Sequence, residues 1–131
     1  METQLYHDRF GAISYDDARN MLELRWFAET KSMTDEDNMR WLERFAAAAE
    51  RYHVPFVLID AQEFKFHPGA QTGPWREEHI IPQYNRAGVK KFAFLLPAGT
   101  VPKTEPAPEG AAGFPTGYFD SREQIEHWFA S

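Results

Sequence analysis

The residues best equipped for chemistry crowd into one connection between Asp60 and Tyr84, which holds Glu63, Phe64, Phe66, His67, Trp75, Glu77, Glu78 and His79 between those ends. An imidazole titrates near neutral pH and is a common metal ligand. His67 and His79, with Glu77 or Glu78 beside them, are therefore the candidates for an ion site or an acid and base pair. Their spacing argues against a metal. HExxH-type ligands lie one helical turn apart, whereas Glu77, Glu78 and His79 are adjacent and point in different directions. Asp60 could serve as a general base, but an Asp at a strand end more often accepts hydrogen bonds from the amides of the following turn. Phe64, Phe66, Trp75 and Tyr84 offer a contact surface for an apolar ligand, and the same rings also suit an extended segment packed on a core.

Other catalytic patterns are missing. The chain has no GxSxG elbow, no GxxxxGK[ST] phosphate loop and no GxGxxG after a strand. Ser14, Ser32, Ser121 and Ser131 fall in a strand, a turn, a helix cap and the terminus. The count of zero cysteines removes thiolate ligands, disulfides and a Cys nucleophile. No catalytic residue, metal or cofactor is assigned.

At 131 residues the chain suits one domain, and 43% hydrophobic residues with 11 Phe and 4 Trp supply ample core material. A formal charge of −6 without any basic run disfavours nucleic acid as a partner. Met1-Glu2-Thr3-Gln4 lacks the basic and apolar segments of a signal peptide, and no apolar stretch is long enough to span a bilayer. The expected location is the cytoplasm.

The elements that must position these residues follow from periodicity. Gly11 to Ser14 and Met21 to Ala28 flank a polar turn at Tyr15-Asp16-Asp17-Ala18, and Leu22, Leu24 and Trp26 alternate with Glu23 and Arg25, which predicts an N-terminal hairpin with one buried face. Thr34, followed by Asp35-Glu36-Asp37, opens a helix to about Tyr52 whose Trp41, Leu42, Phe45, Ala49 and Tyr52 form one apolar stripe. Phe56 to Ile59 and Phe92 to Leu96 are continuous apolar runs of the kind found in strands buried on both faces. The interval between them should carry the crossover helix, begun by Pro74, kinked or broken by Pro82 and ended by Gly88. The Pro- and Gly-rich stretch 98–116 is expected to be an exposed loop. Asp120-Ser121-Arg122-Glu123 reads as a capping box for a closing helix with Ile125, Trp128 and Phe129 on its apolar stripe. The fold class is thus α/β: a single small domain over residues 1–131, with a mixed, mostly parallel sheet of about four to five strands and about three helices.

Four segments carry a family likeness: Met33-Thr34-Asp35-Glu36-Asp37 opening the first helix, Val57-Leu58-Ile59-Asp60 ending the central strand, Arg86-Ala87-Gly88-Val89-Lys90-Lys91-Phe92-Ala93 entering the next, and Tyr118-Phe119-Asp120-Ser121 leading to Trp128. With this element order the chain resembles the STAS-type, SpoIIAA-like superfamily, in its divergent branch. The resemblance implies a binding or regulatory module. It departs from the family at one decisive place. Anti-sigma antagonists of the superfamily have a DxSG-like segment after the central strand, whose serine is phosphorylated; here Phe64 to Gln71 contains no hydroxyl, and Thr72 is the nearest. A phosphorylation switch needs that acceptor.

Three readings follow. The first is a non-enzymatic STAS-like binding or regulatory module that takes a small apolar ligand or a partner protein near Asp60, Phe64, Phe66, His67, Trp75, His79 and Tyr84. That segment follows a strand's carboxyl end, where open α/β sheets place ligands. The second is a small hydrolase or metal-assisted enzyme built on Asp60, His67 and His79. The third is a self-associating structural domain whose homodimer interface uses Trp26, Phe27 or Trp128.

Overall fold

In the computed structural model, which describes residues 1–131, β1 (Glu2–His7), β2 (Gly11–Asp16) and β3 (Met21–Trp26) form an antiparallel meander. From β3 outward the pairing is parallel, through β4 (Phe56–Asp60), β5 (Lys91–Leu95) and β7 (Pro115–Phe119), and the two-residue β6 (Ala107–Pro108) closes the far edge antiparallel to β7. The seven-stranded order is β1-β2-β3-β4-β5-β7-β6. The sheet is therefore wider than the four to five strands read from the sequence, because β1 and β6 are edge strands with little apolar patterning.

The period-two alternation assigns the two faces. Leu22, Leu24, Trp26, Val57, Ile59 and Phe92 belong to the larger core cluster under α1 (Asp35–Tyr52), α2 (Thr72–His79) and α3 (Ile81–Ala87). Met21, Leu58, Ala93 and Leu95 lie on the opposite face, where Ile125 of α4 (Arg122–Phe129) packs on them. β4 and β5 are thus covered on both sides, as parallel strands require.

Local chemistry explains where each helix starts and stops. The Thr34 hydroxyl accepts from the Asp37 amide at 3.1 Å, and the Asp37 carboxylate accepts from the Thr34 amide at 3.0 Å, a complete capping box. That backbone bond from Thr34 holds the Asp37 carboxyl below the usual carboxylate range. His53, with φ 49°, ends α1 in the left-handed conformation. Pro82 lacks the N–H that a continuous helix would need, and the crossover breaks at Ile80 into α2 and α3, with Gly88 at φ 88° closing α3. One boundary differs from the sequence reading. Tyr15 and Asp16 belong to β2, so the hairpin turn comes after them. Ser121 caps α4, accepting from the Gln124 amide at 3.3 Å.

The 98–116 stretch is not a free loop. Asn85 brackets it, donating to the Ala111 carbonyl at 3.1 Å and accepting from the Gly113 amide at 2.7 Å. Glu77 accepts from the Ala111 amide at 2.8 Å, and the Tyr118 hydroxyl donates to Glu109 at 2.7 Å. Phe114, only 2% exposed, stacks on Phe92 with centroids 5.8 Å apart and meets Tyr84 edge-on. Truncating a fully buried Phe costs about 3–5 kcal/mol. Phe114→Ala is therefore expected to lose stability in that range by urea unfolding; a loss under about 1 kcal/mol would show that this segment is not part of the core.

Candidate functional site

The connection leaving β4 crosses the carboxyl ends of the parallel strands as a roof pinned at two points. The buried Thr30 hydroxyl accepts from the Lys65 amide at 2.8 Å. Asp35, in the first turn of α1, accepts from the Gly69 amide at 2.8 Å and from the Thr72 hydroxyl at 3.4 Å. Gly69 is required by this approach, since a Cβ there would sit 2.9 Å from the Asp35 carboxylate.

Beneath the roof lies a cavity of about 210 Å³. Its floor is Leu24, Ile59 and Phe92, from three adjacent parallel strands. Aromatic rings wall both ends: Trp26 and Phe64, with centroids 5.1 Å apart, at one, and Phe94 and Tyr84 at the other. Leu42, Ala61 and Pro68 complete its apolar lining. Four other hollows are larger: about 340 Å³ between β1–β2 and α1, about 290 Å³ over Glu23, Arg25 and Arg122, about 730 Å³ beside α4, and about 310 Å³ at Phe56 and Phe129. The 210 Å³ cavity is distinguished by its mainly apolar, aromatic lining at the strand ends, with a few polar groups among it.

Those groups are Asn38, Arg76 and Tyr84. Asn38 is 4% exposed and Tyr84 1%, yet neither the amide nor the phenol forms a hydrogen bond within the protein. No polar side-chain atom sealed from solvent lacks a partner. The Asn38 amide and the Tyr84 hydroxyl therefore keep some solvent contact, and both residues line this cavity. Arg76, half-buried, holds its guanidinium carbon 5.8 Å from the Phe92 ring centroid and forms no ion pair. Burial pushes the Tyr84 phenol up to about 12, while the Arg76 charge pulls it the other way.

The seven residues singled out by sequence are distributed unevenly. Phe64 and Tyr84 line the cavity directly, and Phe66 supports Phe64 edge-on with centroids 6.2 Å apart. Trp75 is half-buried and packs against His79 at 5.8 Å, outside the cavity lining. His67 and His79 are exposed. Asp60 is on the other face of the sheet, where it accepts from the Gln62 amide at 3.2 Å and from Arg122 at 3.2 Å. Arg122 also clamps both carboxylate oxygens of Glu23, at 3.0 and 2.7 Å. Asp60, His67 and His79 are therefore not brought together, and no group of three His, Asp or Glu side chains is placed to hold a metal. Trp26 is 5% exposed and packs on Trp41 and Phe64, so it is a core residue and not an interface residue.

Asn38 and Arg76 escaped the sequence reading, although both follow the helical period. Asn38 precedes Trp41, Leu42 and Phe45 on the inward stripe of α1, and Arg76 lies four residues from both Thr72 and Ile80, which are buried. A polar residue in register with a buried stripe is the signal that points to them.

Comparison with protein-family models, curated proteins and solved structures finds no match to this chain. No helix is long and apolar enough to cross a membrane.

The Tyr84 environment has a measurable pH signature. A phenol ionises near pH 10 when unfolded. Its folded value is raised to about 12, so the stability contributed by the neutral buried form is complete below pH ~10 and is lost as pH rises through about 12. Urea unfolding at each pH should show the wild type losing stability relative to Tyr84→Phe across that window. A constant difference between the two proteins from neutral pH upward would refute the assignment.

Proposed function

We propose that this chain is a non-enzymatic binding or regulatory module, STAS-like in its use of the fold, that takes a small, mainly apolar ligand in the cavity beneath the β4–α2 connection. The observation that carries this reading is the pairing of an apolar, aromatic-walled cavity with buried polar groups that have no partner in the protein. Asn38 and Tyr84 offer such a ligand hydrogen-bonding groups that no protein group occupies. The site also lies where the parallel strands end, the common ligand position of open α/β sheets.

The lining chemistry favours binding over catalysis. It includes no Asp, Glu, His, Ser or Lys, so no group there titrates near neutral pH to move a proton. The Thr72 hydroxyl is engaged with Asp35. The enzyme reading built on Asp60, His67 and His79 would need side chains that the fold holds apart.

A small-molecule panel of short alcohols, alkylbenzenes and short-chain acids tests the proposal. A ligand at a hundred times its dissociation constant adds about 2.7 kcal/mol to the folded state, a rise of several degrees in melting temperature. Ala61→Leu, which extends a lining side chain into the space, should abolish that rise while the free variant unfolds at or above the wild-type temperature. No rise with any member of the panel, or an undiminished rise in Ala61→Leu, would reject this site.

A further inference from the structure

We infer that the cavity is shaped for a small organic monoanion, a carboxylate on a short chain or single ring, whose charged end meets Arg76; this rests on the binding-module reading above. Arg76 is set apart from the other arginines of the chain. Every other arginine is exposed, whereas Arg76 is half-buried and pairs with no carboxylate. Its neighbour Glu77 is turned away, accepting from the Ala111 amide. A guanidinium stays charged at any accessible pH, and the face of the Phe92 ring replaces only part of its lost hydration.

The hydrogen-bonding balance of the site points the same way. The guanidinium, the Asn38 amide and the Tyr84 hydroxyl all present donors, and no carboxylate lines the space. The acidic side chains around it are engaged elsewhere: Asp35 with Gly69 and Thr72, Glu77 with Ala111 and Glu109 with Tyr118. A donor-rich, carboxylate-free site is complementary to a group that only accepts, and an ionised carboxylate is such a group, with room for a forked contact to Arg.

Size narrows the class. A dry cavity of about 150 Å³ holds a benzene ring, and a water molecule occupies about 30 Å³. The 210 Å³ here therefore accepts a ring or a chain of about six carbons plus a headgroup the size of two waters. A carboxylate has that size.

The test compares hexanoate, hexanamide and hexanol, followed by the fluorescence of Trp26 at the cavity wall and by calorimetry. Wild-type protein should bind hexanoate at least about tenfold more tightly than hexanamide, the usual gain from a charge-assisted hydrogen bond. Arg76→Gln should remove that preference and change hexanamide binding less than about threefold. The variant should keep or raise its melting temperature, because an unpaired half-buried charge has been removed. Tyr84→Phe gives an independent arm, weakening hexanoate more than hexanol. Equal binding of all three probes to wild type, or an unchanged preference in Arg76→Gln, overturns the anion assignment while leaving the binding-module reading standing. Binding of none of them overturns both.

Discussion

Strands β4 and β5 run parallel and adjacent, so the chain must climb out at the end of β4, cross one face of the sheet and re-enter at the start of β5. Everything distinctive about this molecule follows from how that crossing is made. A continuous helix packed along the sheet would fill the space above Leu24, Ile59 and Phe92. Here the chain first turns at Gln62-Glu63, runs without regular structure to Gly69, held to the neighbouring elements by Thr30 and Asp35, and only then enters two short helices separated at Ile80. This segment bridges the strand ends without filling the volume beneath it. The cavity is the consequence of that route.

The hollow opens to solvent and is not a sealed void in the core. The structure around it is dense: Trp26, Trp41 and Phe64 interlock on one side, and Tyr84, Phe92 and Phe114 on the other. The Pro-rich segment contributes to this second cluster through Phe114, and its clasp by Asn85 and Glu77 ties it to α3 and α2. Pro68 is the exposed residue of the lining, and Leu42, Ala61, Phe64, Arg76 and Phe94 are half-buried.

The elements legible in the sequence were those whose burial is one-sided or complete. The runs Phe56 to Asp60 and Phe92 to Leu95 announce strands covered on both faces, and the stripe Trp41, Phe45 and Ala49 announces the helix that covers them. β1 was not legible because an edge strand has one neighbour and little burial, and Glu2, Thr3 and Gln4 are all exposed. β6 is too short to carry a period. Phe114 was hidden by composition: glycine and proline describe the backbone around it and say nothing about where its ring goes. In the site, Phe64 and Tyr84 could be found because aromatics in a crossover announce contact with the sheet. Asn38 and Arg76 could not be found by residue type, because on an amphipathic helix a polar side chain reads as solvent-facing until its phase with the buried stripe is considered. Asp60 was the reverse case. A carboxylate at a strand end looks available for chemistry, and alternation alone places it on the face opposite Ile59.

That alternation makes Asp60 and the cavity two sides of one device. On the α4 face, Arg122 joins Asp60 of β4 to Glu23 of β3 with both carboxylates satisfied, and Asp60 fixes the first turn of the outgoing chain through the Gln62 amide. On the other face, the residues that alternate with these, Leu24 and Ile59, form the cavity floor. The ion-pair cluster closes its charges against one another and so serves to hold the two strand ends in register, while the groups across the sheet are left open. The fold closes Asp60, Glu23 and Arg122 against one another on one face and leaves Arg76, Asn38 and Tyr84 without protein partners on the other. The contrast between the two faces, and not the presence of polar residues as such, is what sets the cavity apart from the ion-pair cluster behind it.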